Sequence, residues 1–90
     1  MAFSYSDKNF TVIGNLCFVH IFVKGTDVNY AIPPAIRDRM LVDDFVCLFA
    51  ANNFESADFG GAQFNNGNIH CISSQGSGYL FCYFPIDSNK

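Results

Sequence analysis

Four cysteines and two histidines are the side chains of this sequence best suited to metal binding or nucleophilic chemistry. Cysteine and histidine are the usual zinc ligands, and the best available set is Cys17, His20, His70 and Cys71. No C-x-x-C pair is present, and positions 17 and 20 of one strand would point to opposite faces. His70 and Cys71 are adjacent, so in a strand they cannot form a thiol–imidazole pair. We therefore predict no metal and no catalytic cysteine.

Each cysteine lies inside an apolar run, as in Val46-Cys47-Leu48 and Phe81-Cys82-Tyr83. Free cysteine packs as a small hydrophobic residue. Four reduced core thiols are the favoured interpretation, and they are typical of assembly in a cytoplasm. The even count leaves a disulfide open as an alternative.

The acidic residues form no convincing catalytic pair. Two carboxylates can hydrolyse a glycosidic bond, but Asp43 and Asp44 are neighbours at a strand start, where such residues are usually solvated turn formers. Gly60-Gly61 lacks the lysine and the helix of a phosphate loop. The sequence thus predicts a non-enzymatic protein without a cofactor.

Recognition is better supported than catalysis. Residues 52–59 form a polar segment with embedded rings, and loops on a rigid β scaffold often carry binding residues. The alternative is a solvated loop whose two phenylalanines turn into the core. The candidate ligand-binding residues have side chains that can bond sugar hydroxyls or stack on a sugar: Tyr30, Asn52, Asn53, Glu55, Asp58, Asn65 and Asn66.

The elements that must position these residues are strands. Apolar runs alternate with Gly, Asn, Asp and Ser clusters, a pattern typical of a β-sandwich or barrel. Strands are predicted at residues 9–13, 16–24, 28–32, 43–50, 62–65, 68–73 and 78–85. A polar loop is predicted over 52–61, an irregular segment or short helical turn over 35–41, and a hairpin turn at Asn66-Gly67. We expect one all-β domain over residues 1–90, a small antiparallel, jelly-roll-like β-sandwich with flexible tails at 1–8 and 87–90.

Composition excludes several classes of protein. Half of the residues are hydrophobic and 14% are charged, against about a quarter charged in a typical domain, which excludes intrinsic disorder. The longest apolar run is about eight residues, too short for a membrane-spanning helix, and the N-terminus lacks the features of a signal peptide. The net charge is −3 and no basic patch is present, so nucleic-acid binding is not expected.

Several strands are apolar on both faces. An antiparallel strand with one solvated face should alternate polar and apolar residues, but strand 16–24 is apolar on both. A small sandwich covers only one face of each sheet, so we predict a homo-oligomer; the alternative is a monomer that tolerates exposed rings. The predicted oligomer interface is Leu16, Phe18, His20, Phe22, Tyr79, Phe81 and Tyr83. If His20 side chains met at a symmetry axis, their protonation in mild acid would weaken the assembly.

One family resemblance covers most of the chain. Phe10-Thr11-Val12-Ile13-Gly14-Asn15-Leu16-Cys17-Phe18-Val19 resembles the opening of C-terminal β-domains of phage tail fibres and receptor-binding proteins. The later features follow in a similar order: Ala31-Ile32-Pro33-Pro34, Ile36-Arg37-Asp38-Arg39, the Asn66-Gly67 hairpin and the aromatic strand at 79–84. The resemblance implies a homotrimeric β-sandwich at the tip of a virion appendage, which binds a host-surface glycan or protein or serves as a trimerising knob.

Two functional hypotheses follow. The first is a trimeric virion domain, assembled in the host cytoplasm and used for host attachment or structure, without membrane insertion. The second is a small intracellular phage or host protein that acts by binding another protein. A third hypothesis, a small hydrolase, has no supporting motif.

Overall fold

A computed structural model describes residues 2–51, 59–73 and 77–90 of the chain. It contains seven strands and one short helix. In chain order they are β1 (Phe10–Ile13), β2 (Leu16–Lys24), β3 (Asp27–Ala31), α1 (Pro34–Arg37), β4 (Phe45–Ala51), β5 (Phe59–Asn65), β6 (Asn68–Ser73) and β7 (Ser77–Pro85). The helix begins directly after Pro33, with Pro34 in its first turn, a position where the missing amide hydrogen of proline leaves no hydrogen bond unmade.

All strand pairs are antiparallel, and the spatial order is β1-β2-β7-β4-β5-β6-β3. The pairs are nested: β4 pairs with β5, β3 with β6, and β2 with β7. The chain therefore folds back on itself in the manner of a jelly roll. The predicted all-β, antiparallel fold is confirmed.

Hydrogen bonds link the strands into one sheet, but the link between β4 and β7 is short. Among the described residues, these strands share the pairs Ala50–Tyr79 and Ala51–Gly78 alone, whereas β2 and β7 are paired along their whole length. At this junction the sheet divides into two layers, β1-β2-β7 and β4-β5-β6-β3. Rings connect the layers: Phe84 of β7 lies 6.0 Å from both Phe45 and Phe64, measured between ring centroids.

One cluster of buried side chains fills the space between the layers. In β2 the buried residues are the alternate positions Cys17, Val19, Ile21 and Val23, because successive side chains of a strand point to opposite faces. Phe64 has no exposed surface and stacks on Phe45 at 4.6 Å. The inward side chains of the strands thus pack against one another within a single chain.

The end segments, expected to be tails, make specific contacts. The Phe3 amide donates to the Ser88 carbonyl at 2.8 Å, and the guanidinium of Arg39 lies 3.8 Å from the centre of the Phe3 ring. The buried Ser88 hydroxyl lies within hydrogen-bonding distance of two acceptors, the Gly14 carbonyl and Asn15 Oδ1, and donates its single hydrogen to one of them. Residues from both ends thus pack against the β1–β2 turn and the segment after α1.

The predicted loop over residues 52–61 is wrong at its C-terminal end. Strand β5 already begins at Phe59, so Gly60 and Gly61 lie within a strand. Gly60 pairs with Phe49 of β4, and a Cβ placed on Gly60 would lie 2.1 Å from the Phe49 ring. Gly60 therefore provides the space in which a buried aromatic ring lies, a role that its local sequence does not reveal.

Candidate interaction surface

The outward side of β2 and β7 carries a row of aromatic side chains. The register places Phe18 opposite Tyr83, His20 opposite Phe81 and Phe22 opposite Tyr79. These residues are the predicted oligomer interface, and the structure brings all of them together on one surface. We call this surface the aromatic face: Leu16, Phe18, His20, Phe22, Tyr79, Phe81 and Tyr83.

The rings of the aromatic face touch one another but remain open to solvent. The Phe22 and Tyr79 ring centroids are 4.8 Å apart, and Tyr79 stacks on Phe81 at 5.7 Å. Phe81 is nevertheless 68% exposed and Tyr83 64% exposed. Contiguous exposed apolar surface of this kind usually marks a site of interaction with another molecule.

A shallow depression of about 360 Å³ lies at the centre of the aromatic face, and its walls are almost entirely apolar. It is lined by Phe18 and His20 from β2 and by Phe81 and Tyr83 from β7. A site of this shape and chemistry fits an inserted apolar side chain better than a sugar, because sugar recognition requires several polar partners.

His20 is the polar member of the aromatic face. It is half-buried, and its Nε2 is hydrogen-bonded to Thr11 Oγ1 of β1 at 3.2 Å. The carboxylate of Asp7 interacts electrostatically with His20. Partial desolvation raises the pKa of Asp7, but backbone amides of Asn9 and Phe10 donate to the carboxylate, and the net pKa lies below its usual value.

The outward apolar surface extends beyond the predicted interface. Because Ala50 pairs with Tyr79, β4 presents Val46 and Leu48 on the same side of the sheet as the aromatic face. Leu48 is 71% exposed, and Ile13 of β1 is exposed as well. The uninterrupted apolar sequence of β4 predicts that both of its faces are apolar. That β4 lies next to β7 cannot be predicted from the sequence and follows from the fold.

The three candidate ligand-binding residues that the structure describes do not form one site. Tyr30 lies in β3, half-buried against the core, and its hydroxyl accepts a hydrogen bond from the Lys24 amide at 3.4 Å. Asn65 ends β5, and Asn66 occupies the following turn, where its amide donates to Asp43 Oδ1 at 3.3 Å. The remaining candidates, Asn52, Asn53, Glu55 and Asp58, lie outside the described residues.

A second, more polar depression of about 240 Å³ lies beside this turn, lined by Arg37, Met40, Leu41, Val42, Asp43, Asn66 and Gly67. Of the three candidate ligand-binding residues within the described ranges, it contains Asn66. The predicted glycan or protein receptor site therefore remains a prediction.

The cysteines and histidines are separated in the fold. Cys17 and Cys71 are buried in the core, whereas His20 lies on the aromatic face and His70 on the outward side of the other layer. His70 Nε2 lies 2.7 Å from Asp27 Oδ1. Within residues 2–51, 59–73 and 77–90, no group of three or more His, Cys, Asp or Glu side chains is placed to hold a metal ion. The same ranges contain no helix long and apolar enough to cross a membrane.

In comparisons with known proteins, no family model, curated protein or solved structure matched this chain.

Proposed function

We propose that this chain is a non-enzymatic, self-assembling β-domain, and that three copies associate through their aromatic faces. The observation that supports this proposal most directly is the exposure of Phe81 and Tyr83 on the outward side of the β1-β2-β7 layer, whose inward side packs against the core. A second copy supplies the same aromatic groups, so each ring can meet an apolar partner across a symmetric interface.

The chemistry of the aromatic face favours contact between copies. None of its seven residues is Asp, Glu, Lys or Arg. Identical faces can therefore approach without charge repulsion, although each chain has a net charge of −3. Interface cores are depleted in charged residues and enriched in tyrosine and phenylalanine. Threefold symmetry and a role in a virion appendage, for attachment or structure, come from the resemblance to tail-fibre domains and are part of the proposal.

Solution mass tests the assembly. Three copies of the 10.0 kDa chain give about 30 kDa, measured by light scattering during size-exclusion chromatography under reducing conditions. We expect the Phe81→Lys variant to give about 10 kDa with an unchanged circular dichroism spectrum, because the ammonium groups would be buried together. Ile72→Lys is the matched control, because Ile72 is an exposed residue of β6, which is separated from β7 by β4 and β5. This variant should keep the wild-type mass.

Two results would contradict the proposal in different ways. A wild-type mass of two copies would retain self-association and overturn the threefold arrangement. A wild-type monomer would overturn self-association altogether and favour the second hypothesis, in which the aromatic face binds a different protein.

A further inference from the structure

We propose that Cys47 and Cys82 are a disulfide-forming pair that can join the two layers of the sheet covalently. Within the part of the chain that the structure describes, the two strands that carry them, β4 and β7, are paired only at Ala50–Tyr79 and Ala51–Gly78. Counting back from these pairs along both strands brings Cys47 opposite Cys82, at a level where the ladder has already opened. This inference goes beyond the proposed function and does not depend on self-assembly.

Three observations place the two sulfur atoms together. Both side chains point inward and pack against the same core cluster. Their thiols are hydrogen-bonded to each other. Both are half-buried, whereas Cys17 and Cys71 are fully buried. A thiol–thiol contact between two inward side chains is an arrangement from which a disulfide can form with little backbone movement.

In the structure all four cysteines are free thiols. Burial, together with the neighbouring Cys47 thiol, raises the pKa of Cys82 well above its ordinary value, which favours the neutral thiol. Burial also raises the pKa of Cys17 to about 12 and that of Cys71 to about 11. Because the thiolate is the reactive form, the domain is expected to stay reduced in a cytoplasm and to oxidise slowly elsewhere.

The oxidant is a small-molecule disulfide such as oxidised glutathione. One thiolate of the pair attacks a sulfur of this reagent, forming a mixed disulfide and releasing one glutathione thiolate. The second cysteine, after losing its proton, attacks the protein sulfur of the mixed disulfide and releases the other glutathione thiolate. The two cysteines lose two electrons and two protons, and the reagent is reduced to two thiols.

The test is incubation of the folded chain with oxidised glutathione at mildly alkaline pH, followed by intact mass measurement and peptide mapping without reduction. We expect a loss of two hydrogens per chain, a cross-linked peptide joining Cys47 to Cys82, and a rise in the unfolding temperature of about 10 °C or more that a reductant reverses. Cys47→Ser and Cys82→Ser should each abolish the mass change. Cys71→Ala should retain it, which separates the pair from the other core cysteines.

The mapping also defines failure. A folded chain that stays fully reduced, or a cross-link that involves Cys17, Cys71 or a second chain, would overturn the assignment. Because mapping uses the wild-type chain, the result stands even where a cysteine variant does not fold. The readout is covalent, so it is independent of the mass of the assembly and of the proposed function.

Discussion

At the scale of single residues, two adjacent glycines of β5 differ in what they do. Gly60 faces the core and lies under the buried Phe49 ring, where an added Cβ would come within 2.1 Å of Phe49 Cζ. A Cβ added to Gly61 would have no heavy atom of a neighbouring residue within 4 Å. An aromatic ring that covers a cross-strand glycine is a known means of stabilising a sheet, and it explains why β5 tolerates Gly60.

Gly60→Ala should therefore destabilise the fold by about 1–3 kcal/mol, because the Phe49 ring must move out of a close-packed position. Gly61→Ala is the matched control and should change the free energy of unfolding by no more than about 0.5 kcal/mol. Urea denaturation followed by circular dichroism measures both. Equal effects of the two substitutions would show that the Phe49 ring does not depend on Gly60.

At the scale of elements, the sequence predicts strands well where local chemistry determines them. Strand β2 has the predicted bounds, since β-branched and aromatic residues fill it and Gly14-Asn15 and Gly25-Thr26 bracket it. The start of β5 could not be predicted, because Gly60 is explained by a ring on another strand. The proximity of Cys47 and Cys82 also escaped prediction, since it depends on the register between β4 and β7.

The aromatic face, too, could be predicted from the sequence only in part. All seven residues of the aromatic face were predicted, because a strand that is apolar on both sides is visible in the sequence itself. The contribution of Val46 and Leu48 to the same side of the sheet was not, since it follows from the β4–β7 pairing.

The β5–β6 hairpin gives an element-scale prediction. Asn66 and Gly67 have φ values of 52° and 79°, as the predicted type I′ turn requires. Gly67→Ala should cost about 1–2 kcal/mol, the penalty for a side chain in left-handed backbone. Gly14→Ala, at φ 61° with open space around it, should cost about as much.

Comparing the stability losses of Gly67→Ala and Gly14→Ala separates the effect of the Arg37 side chain from the effect of left-handed backbone. An added Cβ at Gly67 would lie 2.7 Å from Arg37 Cδ, but the Arg37 side chain is exposed and can move. If Gly67→Ala proves much more costly than Gly14→Ala in thermal unfolding, Arg37 is held in place and the turn is more constrained than proposed.

At the scale of the whole molecule, the main question is how the assembly depends on pH. On the proposed threefold axis, copies of His20 would approach one another, and their protonation would add charge to an apolar interface. The polar groups around His20 are Thr11 of β1, Asp7 and, across the central depression, Tyr83 of β7. Since the pKa of Asp7 is lowered, its carboxylate stays charged over the range in which histidine titrates, and its contribution to stability is lost only in more acidic solution.

We therefore expect the assembly to keep its mass at about pH 8 and to dissociate towards monomers at about pH 5, as light scattering would show. His20→Gln should remove this dependence. His70→Gln is the control, because His70 pairs with Asp27 on the other layer and should leave the dependence intact. A wild-type mass that is the same at both pH values would exclude His20 as the sensor.

The nested pairing of the strands has a consequence for synthesis of the protein. Strand β7, the last along the sequence, lies between β2 and β4, and its pairs with β2 join residues as distant as Leu16 and Pro85. The N-terminal part of a chain leaves the ribosome first. Strands β2 and β4 therefore cannot pair with β7 until nearly all of this sequence has been translated. Folding dominated by such distant contacts is slow, and during that wait the apolar strands are exposed to chaperones and to other nascent copies.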